Sequence, residues 1–543
     1  MTVLPPPAGA RADPGGPSAA RAVTVDDLVA ALAAEPPPVV LDVRDLLESE
    51  RGHLPGATIL PRRRIEFRIE ALVRDRTTPL VLVDSGETRE GEQPDPRSRL
   101  AAATLVALGY RDVAVLDGGV AAWRRAGLPT ASGAQVSSKA FGRRVGDLER
   151  VPTIDIETLR RWQQEGRRIA LCDVRGADEH TEGCIPGAVS LPGFEAISHA
   201  LDMAAEADVV VLCSSARTRS FVVARTMIDL GLGNVVALDG GALAWRLDGH
   251  ELELGSRRRR VKPSTAGRQF AELGSARLAK HCGIGQIEAA ELAALIYATG
   301  GNFSAFDLRN LGRHVVAHVP RSVSVASDVL IIRHQELIAV SGAPVVLVDD
   351  DAVRAQLVAV WLHRLGQSRV QLLAGGFAAW TRSGRPASTV AEMPLGWRET
   401  SSVTPGLGVD DVARWLAAYA PAHVLHVDTS ASYRRGHLPG AVWLPRGWLE
   451  TRIAALAPSL AEALLLTCAD GAQAAYAAAT LRQLGYAHVA WLQGGTRIWA
   501  AAGRSLEASA LPPQDDELLL PARRDVQAMR EYLDWERLAA PRI

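Results

Sequence analysis

The stretch VVALDGGALAW, residues 235–245, runs from an unbroken apolar segment through a Gly-Gly pair into a helix that carries Trp245. A short apolar run bounded by a glycine turn is the mark of a strand buried on both faces. The phrase is written three more times, as Gly118-Gly119 to Trp123, Gly375-Gly376 to Trp380 and Gly494-Gly495 to Trp499, preceded by VAVLD, VQLLA and VAWLQ. Successive tryptophans lie 122, 135 and 119 residues apart. That is the size of a complete small domain and far beyond a solenoid repeat, so four tandem domains are expected.

Working outward from the phrase, the second repeat shows the layout most fully. Apolar residues at helical spacing mark a helix over Ile156 to Gln164, stopped at Gly166. IALCDVR (169–175) and DVVVLC (208–213) read as buried parallel strands, and SFVVARTMIDLGL (220–232) reads as a helix ended by glycine. Strand and helix alternate, which gives an α/β class with a mainly parallel sheet flanked by helices in each of the four units.

Composition narrows the function. The chain has 543 residues, 48% of them hydrophobic, and a formal net charge of -1, so each unit can bury its own core and no global basic field suits nucleic acid. The dense basic run Arg257 to Arg260 with Lys262 is read as a solvated linker. The five cysteines, Cys172, Cys184, Cys213, Cys282 and Cys468, show no CxxC spacing, and the histidines show no HxH or HExxH grouping. No metal or other cofactor is therefore expected, and a reducing, cytoplasmic compartment fits. The first 20 residues lack a secretory apolar segment, and no apolar run reaches the roughly 18 residues of a membrane span.

With these phrases in place a family resemblance emerges. DVRGADEHTEGCIPGAVSLP (173–192), the strand-cysteine-loop-helix unit around Cys213 and LDGGALAW resemble the rhodanese (sulfurtransferase) domain. The first repeat adds LDVRDLLESERGHLPGATILP (41–61), and the fourth adds RRGHLPGAVWLP (434–445). The expected organisation is a disordered lead-in over 1–21, rhodanese-like domains over 22–132, 145–255, 284–388 and 398–507, a linker over 256–283 and a tail over 508–543. The resemblance implies a nucleophilic cysteine at the end of a central strand. The loop after it curls backbone N–H groups around the sulfur and enters a helix, an arrangement that stabilises a thiolate and binds an oxyanion.

Counting back from the glycine that stops that helix places Cys213 18 residues before Gly231, Asp349 17 before Gly366 and Cys468 17 before Gly485. In the first repeat the strand ends at Asp84, and Arg97-Ser98 matches Arg219-Ser220. A carboxylate forms no persulfide, so repeats one and three are expected to be silent. In the second repeat Cys213 is the expected catalytic residue. Ser214, Ser215, Ala216, Arg217, Thr218, Arg219 and Ser220 are its expected substrate-binding loop, with hydroxyls and guanidinium forks suited to a small anion. Asp173 and Arg175 recur as Asp42-Arg44 and Asp307-Arg309 and are read as structural support. Cys184, standing where other repeats have His53 and His437, is read as a buried replacement or a resolving thiol.

The one-residue excess at Cys213 admits a second placement, with Ser214 at the loop apex and Cys213 one step back on the strand. Cys213-x5-Arg219 also resembles the loop of rhodanese-fold phosphatases and arsenate reductases, which gives the rival enzyme reading. A non-catalytic, sulfur-binding scaffold is the rival without chemistry. Cys468, in LLLTCADGAQAA (464–475), is the possible second site, in a loop resembling mercaptopyruvate-type sulfurtransferases. The leading expectation is transfer of sulfane sulfur from thiosulfate or a related anionic donor, through a Cys213 persulfide, to cyanide or a thiol.

Overall fold

The computed structural model describes residues 20–87, 95–133, 135–147, 150–389, 393–404, 406–517 and 525–538. Most of the lead-in and parts of the tail lie outside them. Four five-stranded sheets are formed, and every strand pair in them is parallel. Counting strands within a repeat, each sheet has the spatial order 1-5-4-2-3. The second repeat carries Thr153–Ile154, Ile169–Asp173, Val189–Ser190, Val209–Cys213 and Val235–Leu238. Its helix over Ile156–Gln164 is capped by Asp155, whose carboxylate accepts from Thr158 N at 2.8 Å.

The central strands Leu80–Val83, Val209–Cys213, Val345–Val348 and Ala463–Thr467 are buried along their whole length. This is why they read as continuous apolar runs rather than alternating ones. Each is followed, after a loop, by a long helix: Arg97–Ala107, Thr218–Asp229, Ala352–Arg364 and Ala472–Gln483.

The chain divides into two compact units, one holding repeats one and four and the other holding repeats two and three with the helix Val526–Leu538. In the first unit the 3-10 turns Arg62–Arg64 and Arg446–Trp448 face each other and exchange ion pairs. Arg62 Nη1 donates to Glu450 Oε2 at 2.8 Å, and Arg446 Nη1 donates to Glu66 Oε2 at 3.0 Å. The interface is therefore reciprocal, as two-fold interfaces are.

In the second unit the segment between repeats two and three holds a 17-residue helix, Thr265–His281, in addition to the basic run. Gly274 lets this helix close on repeat two, because a Cβ there would stand 2.4 Å from Leu230 Cδ2. Residues 526–538, whose amphipathic pattern predicts packing against a neighbour, bury Met529 and Leu533 against Ala216 and Leu243 of repeat two.

Candidate active site

The Asp-x-Arg pair that ends the second strand of repeats one to three is a buried brace. Arg175 Nη2 donates to Asp173 Oδ2 at 2.7 Å and to the Gly183 carbonyl at 2.7 Å, tying the strand to the next turn. Asp42-Arg44 and Asp307-Arg309 repeat the geometry. Burial alone would raise the Asp173 carboxyl, but bonds from His180 and Arg175 outweigh it and bring it to about 2.

Backbone hydrogen bonds fix which loop positions are equivalent in the four repeats. The last residue of the central strand is the one whose carbonyl accepts from the neighbouring strand: Val83 from Val43 N, Cys213 from Val174 N, Val348 from Leu308 N and Thr467 from Val427 N, at 2.9–3.0 Å. The next residue begins the loop, and its carbonyl faces the second glycine of the Gly-Gly pair. A Cβ on Gly119, Gly241, Gly376 or Gly495 would stand 2.5, 2.1, 2.2 and 2.2 Å from the carbonyl oxygens of Asp84, Ser214, Asp349 and Cys468. These four residues are equivalent. The Gly-Gly pair recurs because the backbone of the loop passes where a side chain would be.

The structure thus places Ser214, not Cys213, at the loop apex, the second of the two placements that the sequence admits. Successive residues at a strand end point to opposite faces. Cys213 is packed with Leu159, Leu171, Val211, Leu238 and Trp245 in an apolar cluster, and only 2% of it is exposed. Burial, and then the Asp173 charge, push its thiol well above the ordinary range, with Arg175 opposing. Ser214 Oγ lies 3.3 Å from Ser220 Oγ, and Ser220 Oγ donates to the Arg217 carbonyl at 2.9 Å.

The expected anion forks of that loop are occupied by protein. Arg219 Nη2 donates to Glu179 Oε1 at 2.8 Å and to Ser215 Oγ at 3.0 Å, and Arg219 Nη1 donates to Asp328 Oδ2 at 3.1 Å. Arg217 Nε pairs with Asp239 Oδ1 at 2.8 Å. Ala216 is covered by Met529 and Leu533, and Thr218 Oγ1 donates to Glu536 Oε1 at 3.0 Å. Both arginines of the Cys213-x5-Arg219 segment are thus paired with carboxylates of the protein. Cys184 is buried and paired through its backbone with Glu253, as His53, His318 and His437 pair with Ala131, Ser388 and Glu507.

In repeats one and three the apex carboxylates use the loop's own donors. Asp84 Oδ2 accepts from Ser98 N at 3.0 Å and Ser98 Oγ at 2.6 Å, while Asp84 Oδ1 accepts from Gly86 N at 3.0 Å. Burial and the Asp95 charge nevertheless raise Asp84 to about 6. Asp349 accepts from Asp351 N at 3.1 Å and is forked by Arg354 at 2.6 and 2.7 Å. Each loop is plugged by an anion of its own.

Repeat four alone has a cysteine at the apex. Cys468 follows the strand Ala463–Thr467, is fully buried, and accepts from Gly471 N through Sγ at 3.1 Å. Its thiol donates to Asp470 Oδ1 at 3.7 Å, and the same oxygen accepts from Ala472 N at 3.0 Å. Gly471 turns the loop into the helix Ala472–Gln483 at φ 91°, a left-handed conformation that favours glycine. The loop crest at Asp470 is exposed.

Two carboxylates flank this sulfur. Asp428 occupies the position of the brace arginines Arg44, Arg175 and Arg309, and its Oδ2 accepts from Ala469 N at 3.3 Å. Burial, then Asp428, push the Cys468 thiol up to about 12, with Asp470 adding to them and the Ala474 amide opposing. His426, in the place of the brace aspartate, is held neutral by burial, with its acidity shifted to about 4. The residues that counting along the sequence missed are Asp470 and Asp428. The signal was present in the replacement of Asp-x-Arg by His426-x-Asp428. Among the described residues no cluster of His, Cys, Asp and Glu is arranged to hold a metal ion, and no helix is long and apolar enough to cross a membrane.

Four repeated parallel sheets, each with a loop that runs from the central strand into a helix, define a tandem rhodanese-like α/β fold. The chain belongs to the rhodanese family: the Rhodanese-like domain matches residues 24–126, 155–248, 288–383 and 409–502. The fold superposes on a thiosulfate sulfurtransferase from Pseudomonas aeruginosa with a TM-score of 0.84 and 31% identity, covering 96% of this chain and 98% of that one. Shorter stretches resemble a sulfurtransferase of Allochromatium vinosum, 31% identical over 18% of this chain and 92% of the relative. A tRNA uridine(34) hydroxylase of Xylella fastidiosa is 32% identical over 19% of this chain, and the match spans 45% of that relative's length.

Proposed function

We propose that this protein moves sulfane sulfur through a persulfide on Cys468, with thiosulfate as donor and cyanide or a cellular thiol as acceptor. The observation that carries the reading is that Cys468 is the only one of the four apex residues with a thiol, the group a persulfide requires, and it stands in a loop whose Gly471 amide donates to its sulfur. The similarity to a thiosulfate sulfurtransferase along nearly the whole chain supports the choice of donor.

The thiol proton passes towards Asp470, the acceptor it already faces. The thiolate attacks the outer sulfur of thiosulfate, a new S–S bond forms, the old one breaks, and sulfite leaves with the bonding pair. The persulfide anion that remains sits at the helix N-terminus among the loop amides. The acceptor then attacks the outer sulfur, giving thiocyanate or a new persulfide and returning the Cys468 thiolate. Two half-reactions sharing one enzyme form predict parallel double-reciprocal plots.

The test is the intact mass after incubation with thiosulfate. One cyanide-labile sulfur is expected in the wild type and in Cys213→Ser, and none in Cys468→Ser. A label that persists in Cys468→Ser would overturn the assignment, and absence of any label in the wild type would favour the scaffold reading.

A further inference from the structure

The loop around Cys468 poses an electrostatic problem. A donor carrying two negative charges must approach a sulfur flanked by Asp428 and Asp470, in a loop, ADGAQA, that contains no basic residue. The brace arginine that repeats one to three keep beside this position is gone. Like charges at this range repel, so a fixed cation is needed within reach of the donor.

We infer that Arg63, supplied by repeat one, is that cation and binds the anionic end of the sulfur donor at Cys468. The inference rests on Cys468 being the nucleophile. Arg63 lies on the 3-10 turn that packs against repeat four, and only 7% of it is exposed. Its carbonyl accepts from Gln473 Nε2 at 3.0 Å, and Gln473 stands in the first turn of the helix leading out of the Cys468 loop. A second anchor, Arg446 Nη1, donates to the same carbonyl at 3.1 Å.

The neighbouring arginines are committed. Arg62 forks Glu450, Arg446 forks Glu66, and Arg97 forks Glu48 while also bonding Asp95. Arg63 differs from them. Its Nε is buried without a hydrogen-bond partner, as are those of Arg62 and Arg446, but unlike them its guanidinium forks no carboxylate: Asp45 Oδ1 stands 3.9 Å away, and Asp516 also feels its charge. Asp45 is itself engaged by Trp448 Nε1 at 3.0 Å, and the nearby Asp516 is engaged by Ser430 at 2.6 and 2.7 Å. Gln473 Oε1 is also buried and unpartnered, so both donors and an acceptor are left unused in this patch. A buried guanidinium with spare donors is suited to a sulfonate-like group, which it can fork.

The experiment is steady-state kinetics of the full chain with thiosulfate and cyanide, for Arg63→Gln and Arg63→Lys. The KM for thiosulfate should rise about 10- to 100-fold in Arg63→Gln with kcat changed far less, and Arg63→Lys should recover part of the loss. Wild-type KM should rise with salt, and that dependence should flatten in Arg63→Gln. Discharge of a preloaded Cys468 persulfide by cyanide, followed on the same samples, should be retained and shows that the variant is folded. An unchanged KM in Arg63→Gln, with Cys468 still loading, overturns the role of Arg63 and leaves the persulfide reading standing. Loading that survives Cys468→Ser overturns that reading, and the role of Arg63 with it.

Discussion

The backbone amide of Thr496 donates to the carbonyl of Cys468 at 2.9 Å, so the glycine phrase and the Cys468 loop are one piece of structure. Gly495, the residue before, holds φ at 61°, and its missing Cβ leaves room for the Cys468 carbonyl. Gly495→Ala must move the loop, and its left-handed backbone alone costs about 1 to 2 kcal/mol. Cys468 loading should fall at least tenfold. Gly503→Ala is the control: its φ is 73°, but a Cβ there meets nothing within 4 Å, so it should lose stability of similar size without losing loading. Equal loss of loading in both would refute the steric link.

Burial and then the flanking carboxylates raise the Cys468 thiol, which sets a pH dependence with a definite sign. At neutral pH the resting group is a protonated thiol, so alkylation by iodoacetamide should be slow and should quicken as pH rises towards about 12. Asp470→Asn removes one of the charges that oppose the thiolate. Alkylation at pH 8 should then become about tenfold faster for each pKa unit recovered. A slower rate in Asp470→Asn would mean that proton acceptance by Asp470 outweighs its repulsion.

The four sheets and their helices were legible because strands buried on both faces leave unbroken apolar runs, and glycines mark the turns between them. The aspartates Asp84 and Asp349 at the loop apex were legible as well, because each directly follows such an apolar run. The residue at the loop apex of repeat two was not, and the cause is a register of one residue. Ser214 stands 17 residues before Gly231, the same distance that separates Asp349 from Gly366 and Cys468 from Gly485. Cys213 ends the same strand but points to the other face, and no local pattern in a strand buried on both sides separates the two. Two arginines after Cys213 resembled an anion fork, yet their charges are balanced by Asp239, Glu179 and Asp328, which lie far away in sequence.

That difference of one residue separates two cysteines by experiment. Cys213→Ser places a hydroxyl among Leu159, Leu171, Val211 and Trp245, with a cost of about 1 to 3 kcal/mol in the unfolding free energy of the unit that holds it. Sulfur loading and its cyanide discharge should stay at the wild-type level. Cys468→Ser should show the opposite pattern, with loading abolished. Loss of loading in Cys213→Ser at a temperature where the variant remains folded would return the chemistry to repeat two.

The reciprocal pairs Arg446–Glu66 and Arg62–Glu450 tie repeat one to repeat four and set the platform on which Arg63 is held. Arg446 and Glu66 are both buried, with side-chain exposures of 7% and 4%. Removing one partner leaves the other desolvated without its counter-charge, which costs about 3 to 5 kcal/mol, whereas replacing both by apolar groups of similar volume is often close to neutral. Glu66→Leu should therefore lower the unfolding midpoint sharply, and adding Arg446→Met should restore most of it. The double-mutant cycle then reads the coupling directly, and additive losses would mean that the pair contributes nothing as a pair. The Arg446 guanidinium also donates to the Arg63 carbonyl. The restored double variant should accordingly keep its stability while showing a raised KM for thiosulfate, because the support under Arg63 is gone.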